Sequence, residues 1–303
     1  MTTNPAARRF SLYAWGVVAW NLFVIVWGAA VRATGSGAGC GSHWPLCNGA
    51  VVPRAPEIAT IIEFTHRITS GFALIAVAVL VYLAWKWLPK GHLARRASLI
   101  SLILIVIEAL LGAGLVLLEY VEQNKSLGRA AYLSAHLANT LLLVGALVST
   151  AWFARYAAPR LKPIAARWKW ALAAVIAAGV TGAVAALGDT VFPATSMADG
   201  IKAEFAADAH ALLRLRLFHP VAAVLAGGFL LFTGLQVFRA GGSARAKAGG
   251  RAIVWLVVIQ TAAGVVNVLL LAPVWLQLLH LFLANALWMI LVITILEEHL
   301  TDK

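Results

Sequence analysis

Charge is what this sequence has least of. Asp, Glu, Lys and Arg together make up 12% of the 303 residues, against 62% hydrophobic. A soluble domain carries about 25% charged residues, so the composition excludes one and points to a polytopic membrane protein. Thiols are nearly missing as well: Cys40 and Cys47 are the only two cysteines. With His43 between them they offer three ligands of a zinc site and no clear fourth. The first apolar segment follows a polar start, TTNPAARRF, and contains no A-x-A-like cleavage site. It reads as a retained span rather than a cleaved signal peptide.

What is present is apolar sequence in lengths that fit a bilayer. A spanning helix needs about 20 residues. Eight such segments are predicted, near 12–34, 63–87, 98–119, 129–153, 170–189, 213–238, 252–272 and 275–296. The fold class expected is all-α, with eight transmembrane helices in two pseudo-symmetric four-helix bundles. Residues 1–153 form the first, 154–169 a linker and 170–303 the second.

Basic residues set the orientation. Arg8 and Arg9 precede span 1. Lys86, Lys90, Arg95 and Arg96 follow span 2. Arg155, Arg160, Lys162, Arg167 and Lys169 follow span 4. Arg239, Arg245, Lys247 and Arg251 follow span 6, and Lys303 ends the chain. These are 16 of the 24 basic residues, and the basic side of a membrane protein faces the cytoplasm. Both termini are then inside. Charges spread over alternate loops, not gathered on one module, argue against nucleic acid as a partner.

The loop GSGAGCGSHWPLCNGAVVPRAPEIAT is then external, where disulfides are permitted. A Cys40–Cys47 bond is the favoured reading. Two unpaired thiols, a metal site and a redox-active bond stay open.

Four histidines lie inside apolar segments: His66 and His136, then His219 and His280. Ionisable residues in hydrocarbon are costly and mark functional sites. All four fall within about 5–11 Å of the outer span ends, at 1.5 Å per residue. Scattered structural histidines would not share one layer. The pairs recur in a duplicated pattern. VIEALLGAGLVLL (106–118) resembles VIQTAAGVVNVLL (258–270), HLAN resembles HLFLAN, and Gly28 in VWGAAVRA has a counterpart in Gly182 in VTGAVAAL. Two histidines per half, with no repeated thiolate or carboxylate, suit a structural zinc poorly. They suit haem, whose macrocycle supplies the other four nitrogens. The other histidines, His43, His92, His210 and His299, read mainly as surface residues.

Arginines near these positions are candidates for haem propionates, since guanidinium binds carboxylate in bidentate fashion. They are Arg32, Arg67, Arg129, Arg214 and Arg216; the plainer reading is snorkelling to the interface. Glu63 precedes His66 by three residues, on the same helix face, where the second half has Arg216. Glu108 in span 3 has the neutral counterpart Gln260. Acids therefore gather in the first half. That points to chemistry there, with Glu63 as a proton acceptor, and to an auxiliary haem in the second half. An ordinary helix-start role for Glu63 remains open.

The runs VRATGSGAGCGSHWPLCNG, IIEFTHRITSGF, HLAN, RLFHP and LLHLFLANALW resemble heme A synthase of the prokaryotic, cysteine-containing type. The resemblance covers nearly the whole chain. It implies oxidation of the C8 methyl of haem O to a formyl group, giving haem A for cytochrome oxidase, in a bacterial-type cell membrane. It implies that His66 and His136 flank the substrate haem, and that His219 and His280 ligate a haem b cofactor. Glu63 matches the acid of the family's E-x-x-H-R motif, and Cys40 and Cys47 match its external disulfide. Haem O synthase, which makes the substrate, is a plausible partner. Two rival classes are a di-haem b quinone oxidoreductase and a non-catalytic haem transporter or assembly protein.

Overall fold

The computed structural model describes residues 5–240 and 243–302, the last two of these as backbone only. Lys303 and the first residues of the polar start lie outside the described residues. Eight helical stretches are long and apolar enough to cross a membrane, and the protein is an all-α polytopic membrane protein. The spans are α1 (Pro5–Ala33), α2 (Ile58–Trp87), α3 (Leu93–Leu117), α4 (Leu127–Phe153), α5 (Ala166–Val191), the pair α7 (Ala211–Arg216) and α8 (Phe218–Arg239), α9 (Ala244–Leu269) and α10 (Val274–His299). Most predicted ends are met to within a few residues. The structure extends several helices beyond the apolar core because polar side chains cap them. Ser126 accepts from the backbone N–H of Arg129 at the start of α4, and Ser243 from that of Ala246 at the start of α9. Each such cap satisfies a backbone donor that the helix itself leaves unpaired.

The sixth span is broken where one continuous helix was predicted. Pro220 has no N–H to give the carbonyl of Arg216, and α7 ends at Arg216 while α8 begins at Phe218. Before it lies α6 (Met197–Phe205), a short helix that the apolar pattern does not signal. Its start is a capping arrangement. Ser196 accepts from the N–H of Asp199, and the Asp199 carboxylate accepts from the hydroxyls of Thr195 and Ser196.

Helix α1 packs on α2 and α4, α2 on α3, and α3 on α4. In the second half α8 packs on α5 and α9, and α10 on α9 and α5. The halves meet through α4 against α5 and α10, and through α1 against α10. Phe10, Leu147, Val148, Trp168 and Leu291 are fully buried in the shared core. The indole N–H of Trp288 on α10 donates to the carbonyl of Leu141 on α4 at 2.6 Å.

At the end opposite the cysteine loop, the linker is fastened to the chain's last described residues. Strands β1 (Pro159–Leu161) and β2 (Leu300–Asp302) pair antiparallel, with Arg160 opposite Thr301. Beside them Glu298 accepts from Arg167 through both oxygens at 2.8 Å and from the indole of Trp168 at 2.6 Å. The Tyr156 hydroxyl donates to Glu297 at 2.8 Å; burial and that carboxylate push the phenol's pKa up and keep it a donor. His92 and His299, read above as surface residues, are buried here. His92 meets the carbonyl of Tyr156 at 3.0 Å, and His299 accepts from the N–H of Ala165 at 3.2 Å. They are buried because the linker folds over them, a long-range event that local composition does not carry.

Candidate functional site

In the first half, His66 on α2 lies with its ring against Gly28 of α1. A Cβ at position 28 would stand 2.8 Å from the ring's Cε1, so only glycine leaves room for the imidazole. His66 Nδ1 is buried with no hydrogen-bond partner among the described residues. His136 on α4 faces Glu108 of α3, Nδ1 to Oε1 at 3.2 Å, a contact of ion-pair length that is off the line of a good hydrogen bond. Glu108 is itself held from α4. The Asn139 amide donates to Oε2 at 2.5 Å, and the Thr140 hydroxyl donates to Oε1.

The second half has similar, not identical, contacts on its own helices. The His219 ring of α8 lies against Gly182 of α5, where a Cβ would stand 3.0 Å from Cε1. Its Nδ1 meets the carbonyl of Ala178 at 3.1 Å, which leaves Nε2 for another ligand. His280 of α10 lies against Gly264 of α9, and its Nε2 meets the amide nitrogen of Gln260 at 3.1 Å. Its Nδ1 is buried and without a hydrogen-bond partner among the described residues. The two rings meet edge-on, with centroids 6.4 Å apart and planes at 87°. One metal ion bonded at about 2 Å to a nitrogen on each side fits between two rings so spaced.

Glu63 is 3% exposed and lies between the His66 helix and the cysteine loop. Its Oε2 accepts from the N–H of Cys40 at 2.8 Å, and its Oε1 from Arg67 Nε at 3.0 Å. Arg67 also donates to the carbonyls of His43 and Leu46, both at 2.6 Å. Cys40 and Cys47 are bonded to each other and buried. The cysteine loop is thus fastened to α2 one turn before His66. Arg216, one turn before His219, does the same with opposite charge. It pairs with Glu204 of α6 and with Asp189 Oδ1 of α5, the latter at 3.2 Å.

The remaining arginines divide by partner. Arg67 and Arg216 sit on carboxylates. Arg32 donates to the carbonyl of Ala186 at 2.8 Å, to Thr190 at 2.6 Å and to Gln277 at 2.9 Å, reaching from α1 to α5 and α10. Arg129 donates to the carbonyls of Glu122 and Asn124, and Arg214 to that of Ala207 at 2.8 Å. Among the described residues none of these three has a carboxylate at ion-pair distance. Sequence reasoning singled out neither Asn139, Thr140, Asp189 nor Glu204 as site residues. Asn139 carried a signal, standing in the repeated HLAN; the others came from loops and helix faces with none.

Residues 11–292 match the COX15-CtaA family, described as "Cytochrome oxidase assembly protein". Over 293 residues the chain is 44% identical to a Thermus thermophilus protein named "Protoheme IX farnesyltransferase", covering 95% of this chain and 48% of that one. It is 44% identical over 109 residues to the "Heme A synthase" of Alkalihalophilus pseudofirmus, 36% of this chain and 37% of the relative. Against the "Heme A synthase" of Bacillus cereus strain AH187 it is 45% identical over 95 residues, 31% of this chain and 30% of the relative. The chain thus spans about half the length of the Thermus relative.

Proposed function

The chain belongs to the COX15-CtaA family of cytochrome oxidase assembly proteins, and on that premise we propose that it is a membrane-embedded heme A synthase, oxidising the C8 methyl of haem O to a formyl group. The observation that carries this reading is the repeated setting of the four histidines. Each half brings one ring against a glycine of its first helix and another against an acid or amide of its third, Glu108 or Gln260. We read this as an internal duplication, two four-helix bundles with one haem position each. Among the described residues no cluster of three or more His, Cys, Asp or Glu side chains is placed to hold a bare ion. Paired imidazoles suit an iron that brings its own four nitrogens.

In this reading His66 and His136 bind the substrate haem in residues 1–153, and His219 and His280 hold a haem b cofactor in residues 170–303. Bound there, haem b would supply one-electron transfer. The chain's own residues do the rest. His219 is oriented by the Ala178 carbonyl, which fixes the ring nitrogen it offers. Arg32, Arg129 and Arg214, with no carboxylate at ion-pair distance among the described residues, are the propionate candidates. Arg67 and Arg216 instead brace the loops that cover the sites. Glu63 is the proton acceptor proposed for methyl oxidation; the Cys40 N–H and Arg67 hold its carboxylate at the mouth of the His66 helix. The basic loops are placed in the cytoplasm and the cysteine loop outside.

The Thermus relative is named a farnesyltransferase, and this chain matches about half of it. That supports a haem O-forming enzyme as a partner, handing over a product too apolar to cross water. The test of the function is mass analysis of haems extracted from the purified protein. Haem O, haem A or a hydroxylated species is expected. Haem b alone would favour a di-haem electron-transfer protein instead.

A further inference from the structure

Glu108 and Gln260 hold corresponding positions on α3 and α9, and each contacts the histidine of the next spanning helix: Glu108 faces Nδ1 of His136, and the Gln260 amide nitrogen faces Nε2 of His280. The two are not equally supported. Asn139 and Thr140 donate to both oxygens of Glu108. Gln260 has no such brace, and its Oε1 is buried without a hydrogen-bond partner among the described residues. A carboxylate beside one nitrogen of an imidazole stabilises positive charge on the ring and makes the other nitrogen a stronger donor to a metal; a neutral amide does this far less. Stronger donation favours the oxidised state of a haem iron, and ligand environment is one of the protein's levers on its potential.

We propose that Glu108 is a positioning residue that, through His136, biases the substrate haem iron toward the ferric state, while Gln260 leaves the second iron the easier of the two to reduce. The inference rests on the reading that each half holds a haem. It has a directional consequence: electrons leaving the first site run downhill to the second. Asn139 and Thr140 belong to the device, since they fix the carboxylate on the His136 side of α3 and α4.

The experiment is an optical and paramagnetic-resonance redox titration of the purified protein, loaded with haem O at the first site. Glu108→Gln should raise the ferrous-to-ferric ratio of that haem at a fixed applied potential by about tenfold, which for one electron is 59 mV. Its affinity for haem should fall about 10–100-fold, and Glu108→Asp should restore part of both. The reciprocal Gln260→Glu should lower the second haem's ratio by a similar factor, and it serves as the test if Glu108→Gln fails to load or fold. Unchanged ratios and resonance positions in loaded Glu108→Gln, or in Gln260→Glu, would overturn the inference and leave the synthase reading standing. Failure of the wild-type protein to bind a haem in either half would overturn both.

Discussion

Glu63 is the residue at which two roles can be separated. Glu63→Gln keeps the shape and an acceptor for the Cys40 N–H but removes the charge that Arg67 meets. As a general base its loss should lower haem A production by about 10²-fold, with haem O or a partly oxidised haem accumulating and the second haem intact. Chromatography of haems from cells supplied with haem O reads this directly. Wild-type yield would reduce Glu63 to a brace for the loop. In the second half, His219→Ala or His280→Ala should abolish the low-spin haem b spectrum while the protein still inserts; full retention in both variants would refute the assignment. These four histidines were readable in the sequence because each interrupts an apolar run. What each arginine touches was not, because the partners Ala186, Thr190, Gln277 and Glu204 lie on other helices or on α6, and only the packing brings them near.

Two elements carry consequences of their own. The start of α6 depends on the carboxylate of Asp199, whose pKa the hydroxyls of Thr195 and Ser196 hold below the usual aspartate value. A depressed folded-state pKa gives stability that is present above the unfolded value, about 3.9, and is lost as pH falls through the folded value. Protection of the α6 amides, taken against their intrinsic exchange at each pH, should therefore fall below about pH 4. Asp199→Asn should be less protected at neutral pH and lose that fall. Ser196→Ala should destabilise the helix by about 1 kcal/mol. At the other end of the molecule, Glu298→Ala strands the buried indole N–H of Trp168. An unsatisfied buried donor costs about 1–3 kcal/mol, so the detergent-solubilised protein should melt at a lower temperature, whereas Glu298→Gln should recover part of the loss. Spanning helices were readable from apolar length alone. Neither α6 nor the break before Phe218 was, since the first is held by a local cap on a mostly polar segment. The second follows from one missing N–H at Pro220 within an otherwise apolar run.

For the molecule as a whole, orientation is the open prediction. Single cysteines placed at Lys90 and Lys247 should react with a membrane-impermeant thiol reagent only after the cells are opened, and one at Arg54 should react in intact cells. The opposite pattern would invert the proposed topology. The sequence carried the helix count, because apolar length is local. It did not carry the way the halves are fastened, which joins segments far apart along the chain. The β1–β2 ladder pairs the linker with residues 300–302, which leave the ribosome after the linker and all eight spanning helices. Until then α4 and α5 are joined by an open strap, and the first four helices must settle in the bilayer without it. Translation order thus makes the ladder a late closure. Polypeptides cut within the strap and expressed as two pieces should still find each other through α4, α5 and α10, with the second piece supplying the strand that clasps the first.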